Sequence, residues 1–306
     1  MAKRKKRKQP DTPRNIVGVQ GNNKYPPQGK YIHSNESNDF ARMQQDVAPH
    51  HKELAAKWVL DELSFGSGAG LILDAGSSCC QLWKETAKAI VAGDCAHLTI
   101  YTNNLLVLDE WREGSTPQIR GTKVKIFGWE LDCSHRAFYG GTDEVRQRLM
   151  DKNFRPWAVF IGTSGIEFGG EDGIFFGYHA DEAELQIKKI LFQCKTRMRI
   201  ILATPHKIGY AGGSVFDILD VKGLDTTAPL YLVTTAPDQE EKLHKEQFEE
   251  ARRIYESKPM QQKIKESGLV FHWIILDPQS GNLREDLRIP PLETMKRAQR
   301  SSKRTS

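Results

Sequence analysis

A chain of 306 residues, 39% hydrophobic and 27% charged, is long enough for one large α/β domain with tails or for two small domains. No apolar run reaches the roughly 18 residues that cross a bilayer, and no apolar core follows the charged N-terminus, so neither a membrane span nor a secretory leader is expected and the protein is placed in the cytoplasm. The five cysteines, Cys79, Cys80, Cys95, Cys133 and Cys194, have no framework spacing, and the lone C-x-H of Cys133 and His135 has no second ligand pair, so neither a disulfide scaffold nor a structural metal is expected.

The net charge of +5 is unevenly placed. Lys3, Arg4, Lys5, Lys6, Arg7 and Lys8 supply six positive charges, and Lys296, Arg297, Arg300, Lys303 and Arg304 supply five, so the body between them carries −6. Any attraction to nucleic acid is therefore expected in the basic ends, as nonspecific, salt-sensitive phosphate contact. Solvated tails would show the same charge runs. Residues 1–45 have few apolar positions and read as a disordered basic arm.

From His51 onward Leu54, Ala55, Trp58, Val59, Leu60 and Leu63 recur at helical spacing, and FGSGAG ends that helix. Short apolar runs then alternate with helices. LILDA is a strand of the doubly buried kind. SSCCQLWKETAKAIVAG is a helix with a serine N-cap and a terminal glycine. LTIYT and KVKIF are strands around a short helix, NNLLVLDEW. DEVRQRLMDK is helical, and the strand WAVFIGT runs into a glycine-rich loop, SGIEFGGEDGIFFG. The helix DEAELQIKKILFQCK, strands RIILAT and PLYLVTTA, a long charged helix over 239–257 and the strand LVFHWIIL follow. A basic C-terminal tail is expected over 283–306. The fold class is α/β, a mostly parallel sheet with helices on both faces, over 46–282.

Ligands of such sheets bind beyond the carboxyl ends of the strands. Four of those ends carry small polar residues. After the first strand, Asp74, Gly76, Ser77 and Ser78 bring hydroxyls and backbone N–H groups to a helix N-terminus, which attracts phosphate; a serine that merely caps the helix would look the same. Thr102, Asn103 and Asn104 follow the second strand as hydroxyl partners or as turn residues. Gly162, Thr163, Ser164 and Gly165 let backbone approach a ligand closely. Lys207 stands three residues beyond a later strand, where it could reach a phosphate as a point charge or sit as a plain loop lysine. Together they define a site for a small anion, with no cofactor called for.

The order of these motifs resembles the sugar-phosphate sensor domain of the DeoR family of transcriptional regulators. The run from His51 to Ser78 resembles the family's entry helix and L-D-S-G-T-T-like loop, Thr102–Asn104 its T-N-S, KVKIFG and AFYGG its glycine-marked strands, and IGTSGI its G-A-D-G-I. Glu184 with Ile187 and Lys188 resembles its E-x-x-V-K helix, and ATPHKIG its D-S-S-K-F-G. The resemblance implies a NagB/RpiA/CoA transferase-like fold, phosphate held by Gly76, Ser77, Ser78 and Lys207, ligand contacts from Asp74, Asn103, Glu184 and Gly162–Gly165, and a homo-oligomer. Ser164 stands where the family and its isomerase relatives carry Asp, which disfavours proton-transfer catalysis. The first 50 residues show no helix pair, so a helix-turn-helix is not expected. The function expected is ligand sensing for a small phosphorylated metabolite, in transcriptional regulation, with a sugar-phosphate isomerase or deaminase, or a nucleic-acid-associated scaffold, as alternatives.

Overall fold

The structure is a computed structural model that describes residues 48–63, 66–113, 121–178, 182–211, 214–238 and 242–289. Lys3, Arg4, Lys5, Lys6, Arg7 and Lys8, the rest of the arm expected over 1–45 and the basic residues after 289 lie outside the described residues. No described helix is long and apolar enough to cross a membrane.

The chain begins with α1 (Pro49–Leu63), then β1 (Gly70–Leu73), α2 (Ser77–Ala92), β2 (Thr99–Thr102), α3 (Leu105–Glu113) and β3 (Lys123–Ile126). A hairpin of β4 (Glu130–Asp132) and β5 (Ala137–Tyr139) precedes α4 (Thr142–Leu149) and β6 (Ala158–Gly162). Strands β7 (Ile166–Phe168) and β8 (Ile174–Tyr178), α5 (Glu182–Gln193), β9 (Met198–Leu202) and β10 (Ser214–Asp217) come next, with a 3-10 turn at Pro205–Lys207. The chain closes through β11 (Leu230–Thr235), α6 (Lys242–Tyr255), α7 (Lys258–Ser267), β12 (Phe271–Leu276) and β13 (Leu283–Ile289).

Eight strands form the central sheet in the order β13-β12-β11-β9-β6-β1-β2-β3. Every neighbouring pair is parallel except the edge pair β12–β13. The apolar runs explain the layering. Side chains alternate between faces along a strand, so a strand covered on both sides must be apolar at every position. Leu71, Leu73, Ala158, Phe160, Ile200 and Leu202 enter one cluster with Ala55, Val59, Leu82 and Trp83 of α1 and α2. Their sequence neighbours Ile72, Val159, Ile161 and Ile201 enter the opposite cluster with Ile187, Leu191, Phe248 and Ile264 of α5, α6 and α7. The expected sheet with helices on both faces is the observed fold.

Four local expectations change. The expected glycine-rich loop after β6 is largely strand: β7 and β8 pair antiparallel, and β10 joins β8 as a small three-stranded sheet. Buried Ile166, Phe168, Ile174 and Phe176 drive it, and only Gly169–Gly173 makes the turn, closed by the Gly169 N–H on the Gly173 carbonyl at 2.9 Å. The charged helix over 239–257 is succeeded by a second one, α7, because Ser257 accepts the Met260 N–H as N-cap and Pro259 suits the first turn. The tail expected from Leu283 opens with a strand, since LREDLRI alternates and pairs with the fully buried β12. The cap of α2 is Gly76, not a serine.

Candidate functional site

The carboxyl ends of β1, β6 and β9 lie side by side in the central sheet. Gly76 precedes α2 with φ +117°, a conformation open to glycine and strained for other residues. No side chain caps the helix. The first intrahelical bond runs from the Cys80 N–H to the Gly76 carbonyl, so the Ser77, Ser78 and Cys79 amides have no intrahelical acceptor. Ser78 is 4% exposed, and its hydroxyl is buried with no hydrogen-bond partner among the described residues.

These groups open on a cavity lined by Ala75, Gly76, Ser77, Ser78, His135, Tyr139, Gly162, Thr163, Ser164, Glu184, Lys188 and Lys207, with a volume of ≈ 40 Å³. That is room for about three waters. Ser77 and Lys207 face the same space.

Beneath it lies a buried charge cluster. Lys188 of α5 pairs with Asp74, donates to the Gly162 carbonyl at 2.8 Å and stands 3.5 Å from Glu184. Asp74 also accepts the Gly162 N–H at 3.1 Å, which ties the ends of β1 and β6 together. Burial raises the Asp74 carboxyl above the usual range. Burial would depress the Lys188 ammonium, but the Asp74 and Glu184 carboxylates outweigh it and hold Lys188 above its ordinary value. Two carboxylates thus share one ammonium.

Lys207 is different. It donates to the Thr163 carbonyl at 2.7 Å and pairs with no carboxylate among the described residues. Burial, with the Lys188 charge added, pushes its pKa down to about 8. Its neighbour His206 is pushed down to about 3, by burial and by the Lys207 charge, so it is neutral at physiological pH. Lys207 is the site's uncommitted cation.

Of the residues singled out from sequence, Gly76, Ser77, Ser78, Gly162, Thr163, Ser164, Glu184 and Lys207 line the cavity. Asp74 does not. It is fully buried and acts through Lys188 and Gly162. Gly165 also stands outside, its N–H on the Thr163 hydroxyl at 3.1 Å and its backbone hard against Tyr210 and Ala211. Thr102, Asn103 and Asn104 are wholly buried behind the site. The Thr102 hydroxyl donates to the Leu73 carbonyl, and the Asn104 amide donates to the carbonyls of Asp74 and Gly76 at 3.1 and 2.9 Å. Thr102 and Asn104 brace the Gly76 loop from the neighbouring strand, whereas the Asn103 side-chain amide is buried with no hydrogen-bond partner among the described residues.

Lys188, His135 and Tyr139 belong to the cavity and were not among the singled-out site residues. Lys188 was within reach. Residues 184, 187, 188, 190, 191 and 192 are the buried positions of α5, and a Glu–Lys pair four apart among otherwise apolar positions signals a buried function. His135 and Tyr139 arrive on the β4–β5 hairpin, whose placement depends on distant contacts.

Gly162 is required by proximity: a Cβ there would lie 2.2 Å from the Ala75 carbonyl oxygen. Gly162→Ala is expected to lower stability by about 1–3 kcal/mol and to weaken anion binding, measured by urea unfolding and by phosphate titration. A variant as stable as the native chain would show that β1 and β6 separate more easily than this packing allows.

Among the described residues, no three His, Cys, Asp or Glu side chains are grouped to hold a metal ion. No family model matches the chain, and no curated protein matches it. It is similar to the solved ribose 5-phosphate isomerase from Plasmodium falciparum, at 13% identity over 51% of each chain and a TM-score of 0.34. It is similar also to ribose 5-phosphate isomerase A from Methanocaldococcus jannaschii, at 12% identity, 52% of this chain, 53% of that one and a TM-score of 0.33. RipA from Yersinia pestis is similar at 15% identity, 60% of this chain, 43% of that one and a TM-score of 0.32. The chain spans about half the length of the solved structures it matches.

Proposed function

We propose that this protein is a ligand-sensing module of the DeoR-like kind, whose cavity takes the phosphate of a small phosphorylated metabolite. The observation that carries the reading is the Ser78 hydroxyl, buried and unpartnered on the cavity wall. A buried hydroxyl left unbonded is costly, and an anion accepts from it, from the open amides of α2 and from the Lys207 ammonium at once.

Binding is favoured over proton-transfer chemistry. Glu184, the carboxylate on the cavity wall, lies within 3.5 Å of Lys188 and is ion-paired to it. Ser164 offers no carboxyl, and its hydroxyl donates to the Ala211 carbonyl at 3.1 Å.

Thermal unfolding against a panel of phosphorylated sugars and nucleotides tests the reading. A ligand at 100 times its Kd is expected to stabilise by about 2.7 kcal/mol, a shift of several degrees for a domain of this size. Ser77→Phe is expected to abolish that shift while the ligand-free protein stays folded. A folded native chain that no panel member stabilises would overturn the reading, and isomerised or deaminated product from pentose or hexosamine phosphates would replace it with the enzyme reading.

A further inference from the structure

The cavity has two unlike walls. One is the α2 terminus with Lys207, suited to an anion. The other is reached by the β4–β5 hairpin, which stands apart from the central sheet and brings His135 and Tyr139 to the same space.

A two-stranded hairpin is marginal by itself, yet this one is tied down at several points. The Phe138 N–H donates to the Asn103 carbonyl at 2.7 Å, and the Leu105 N–H donates to the Arg136 carbonyl at 2.8 Å. Asn104 bridges to Ala137, and the Arg136 guanidinium pairs with Asp109. Asn103 and Asn104, which hold the hairpin, also follow the strand that braces the Gly76 loop. The distance between the two walls is thereby set by one short segment.

Within the turn, Asp132 accepts the backbone N–H groups of Ser134 and His135 at 2.8 and 3.1 Å. The same carboxylate meets the His135 ring at Nδ1, 2.6 Å away. A histidine in a hairpin turn would ordinarily be a solvated side chain. Here a carboxylate fixes the orientation of its ring. An imidazole so held lines the same cavity as Glu184 and Ser164, side chains whose chemistry matches ligand hydroxyls.

We propose that His135, oriented by Asp132, is the specificity-determining residue that reads a hydroxyl on the ligand's carbon skeleton, so that the site prefers phosphorylated polyhydroxy compounds to phosphate alone. This rests on the phosphate reading of the α2 end. His135 touches the ligand; Asp132 is a positioning residue.

Calorimetric titration of the full chain with inorganic phosphate, glycerol 3-phosphate and ribose 5-phosphate tests it. The readout is the ratio of the better organic phosphate's affinity to that of inorganic phosphate. A purely structural defect would weaken all three probes together. In the native chain the ratio is expected to exceed ten. His135→Leu is expected to lower it about tenfold, the effect of one lost hydrogen bond. Asp132→Asn should lower it by less, and His135→Gln should recover part of it. A native ratio near one, or a ratio unchanged by His135→Leu, overturns the inference and leaves the phosphate site standing. A native chain that binds none of the three overturns the inference, and one that no member of the phosphorylated panel stabilises overturns the phosphate reading as well. Should His135→Leu fail to fold, Asp132→Asn in the partly exposed turn carries the comparison, and an unchanged ratio there is equally decisive.

Discussion

Lys207→Ala is expected to weaken phosphate binding about 10- to 100-fold, the effect of losing one charge-assisted hydrogen bond, without unfolding the chain. The reason lies in the division of charge. Lys188 is committed to Asp74 and Glu184, whereas Lys207 donates to the Thr163 carbonyl and meets no carboxylate among the described residues. The pH dependence separates this role from a general electrostatic one. With its pKa pushed from the ordinary 10.5 down to about 8, Lys207 binds fewer protons in the folded chain than in the unfolded chain between those values. Stability of the ligand-free protein therefore rises with pH across that window, and the penalty of holding the charge, on the order of 3 kcal/mol, is fully present below it. Phosphate affinity runs the other way, because the anion requires the ammonium, and falls as pH rises above about 8. Both slopes are read as differences between the native chain and Lys207→Ala, which removes the contribution of other lysines. Parallel slopes in the two proteins would remove Lys207 from the site.

Much of the architecture was legible because a doubly covered parallel sheet imposes a strong rule on its strands. Leu71, Ile72 and Leu73 must all be apolar when alternate residues enter opposite clusters. The loops that line the cavity were legible for a related reason: small residues at consecutive strand ends are hard to explain by packing alone. The capping role expected of a serine failed because Gly76, with its positive φ, occupies the cap and leaves Ser78 on the cavity wall. Thr102 and Asn104 have the same side-chain chemistry whether they bind a ligand or, as here, bind backbone. Which one holds depends on β2 lying beside β1, a relation no local pattern carries. His135 is harder still. Its neighbours Cys133, Ser134 and Arg136 mark a plain turn, and its function arises from Asn103 and Asp109, about 30 positions away in the chain.

The largest stability effect is expected at Lys188. Lys188→Met replaces a wholly buried ammonium with an apolar chain of similar length and leaves Asp74 and Glu184 without a cation, at a cost of about 3–5 kcal/mol in urea unfolding at neutral pH. Asp74→Asn should cost less, because Glu184 still faces the ammonium 3.5 Å away and the asparagine carbonyl can accept the Gly162 N–H. The two changes touch one interaction, so the double variant should be more stable than the sum of the single effects by about 1–3 kcal/mol. The sign of the pH effect follows from burial, which already raises the Asp74 carboxyl. Without Lys188 that pKa rises further, a proton is bound on folding, and the deficit of Lys188→Met shrinks as pH falls from 8 towards 5. Phosphate binding should weaken in Lys188→Met at every pH, since the Gly162 carbonyl loses its donor and the β6 end that carries Thr163, the Lys207 acceptor, is no longer held to β1. An additive double variant would mean that Asp74 and Lys188 stabilise the fold independently. The cavity floor would then not be the single electrostatic unit that keeps Lys207 and the α2 amides aimed at one anion.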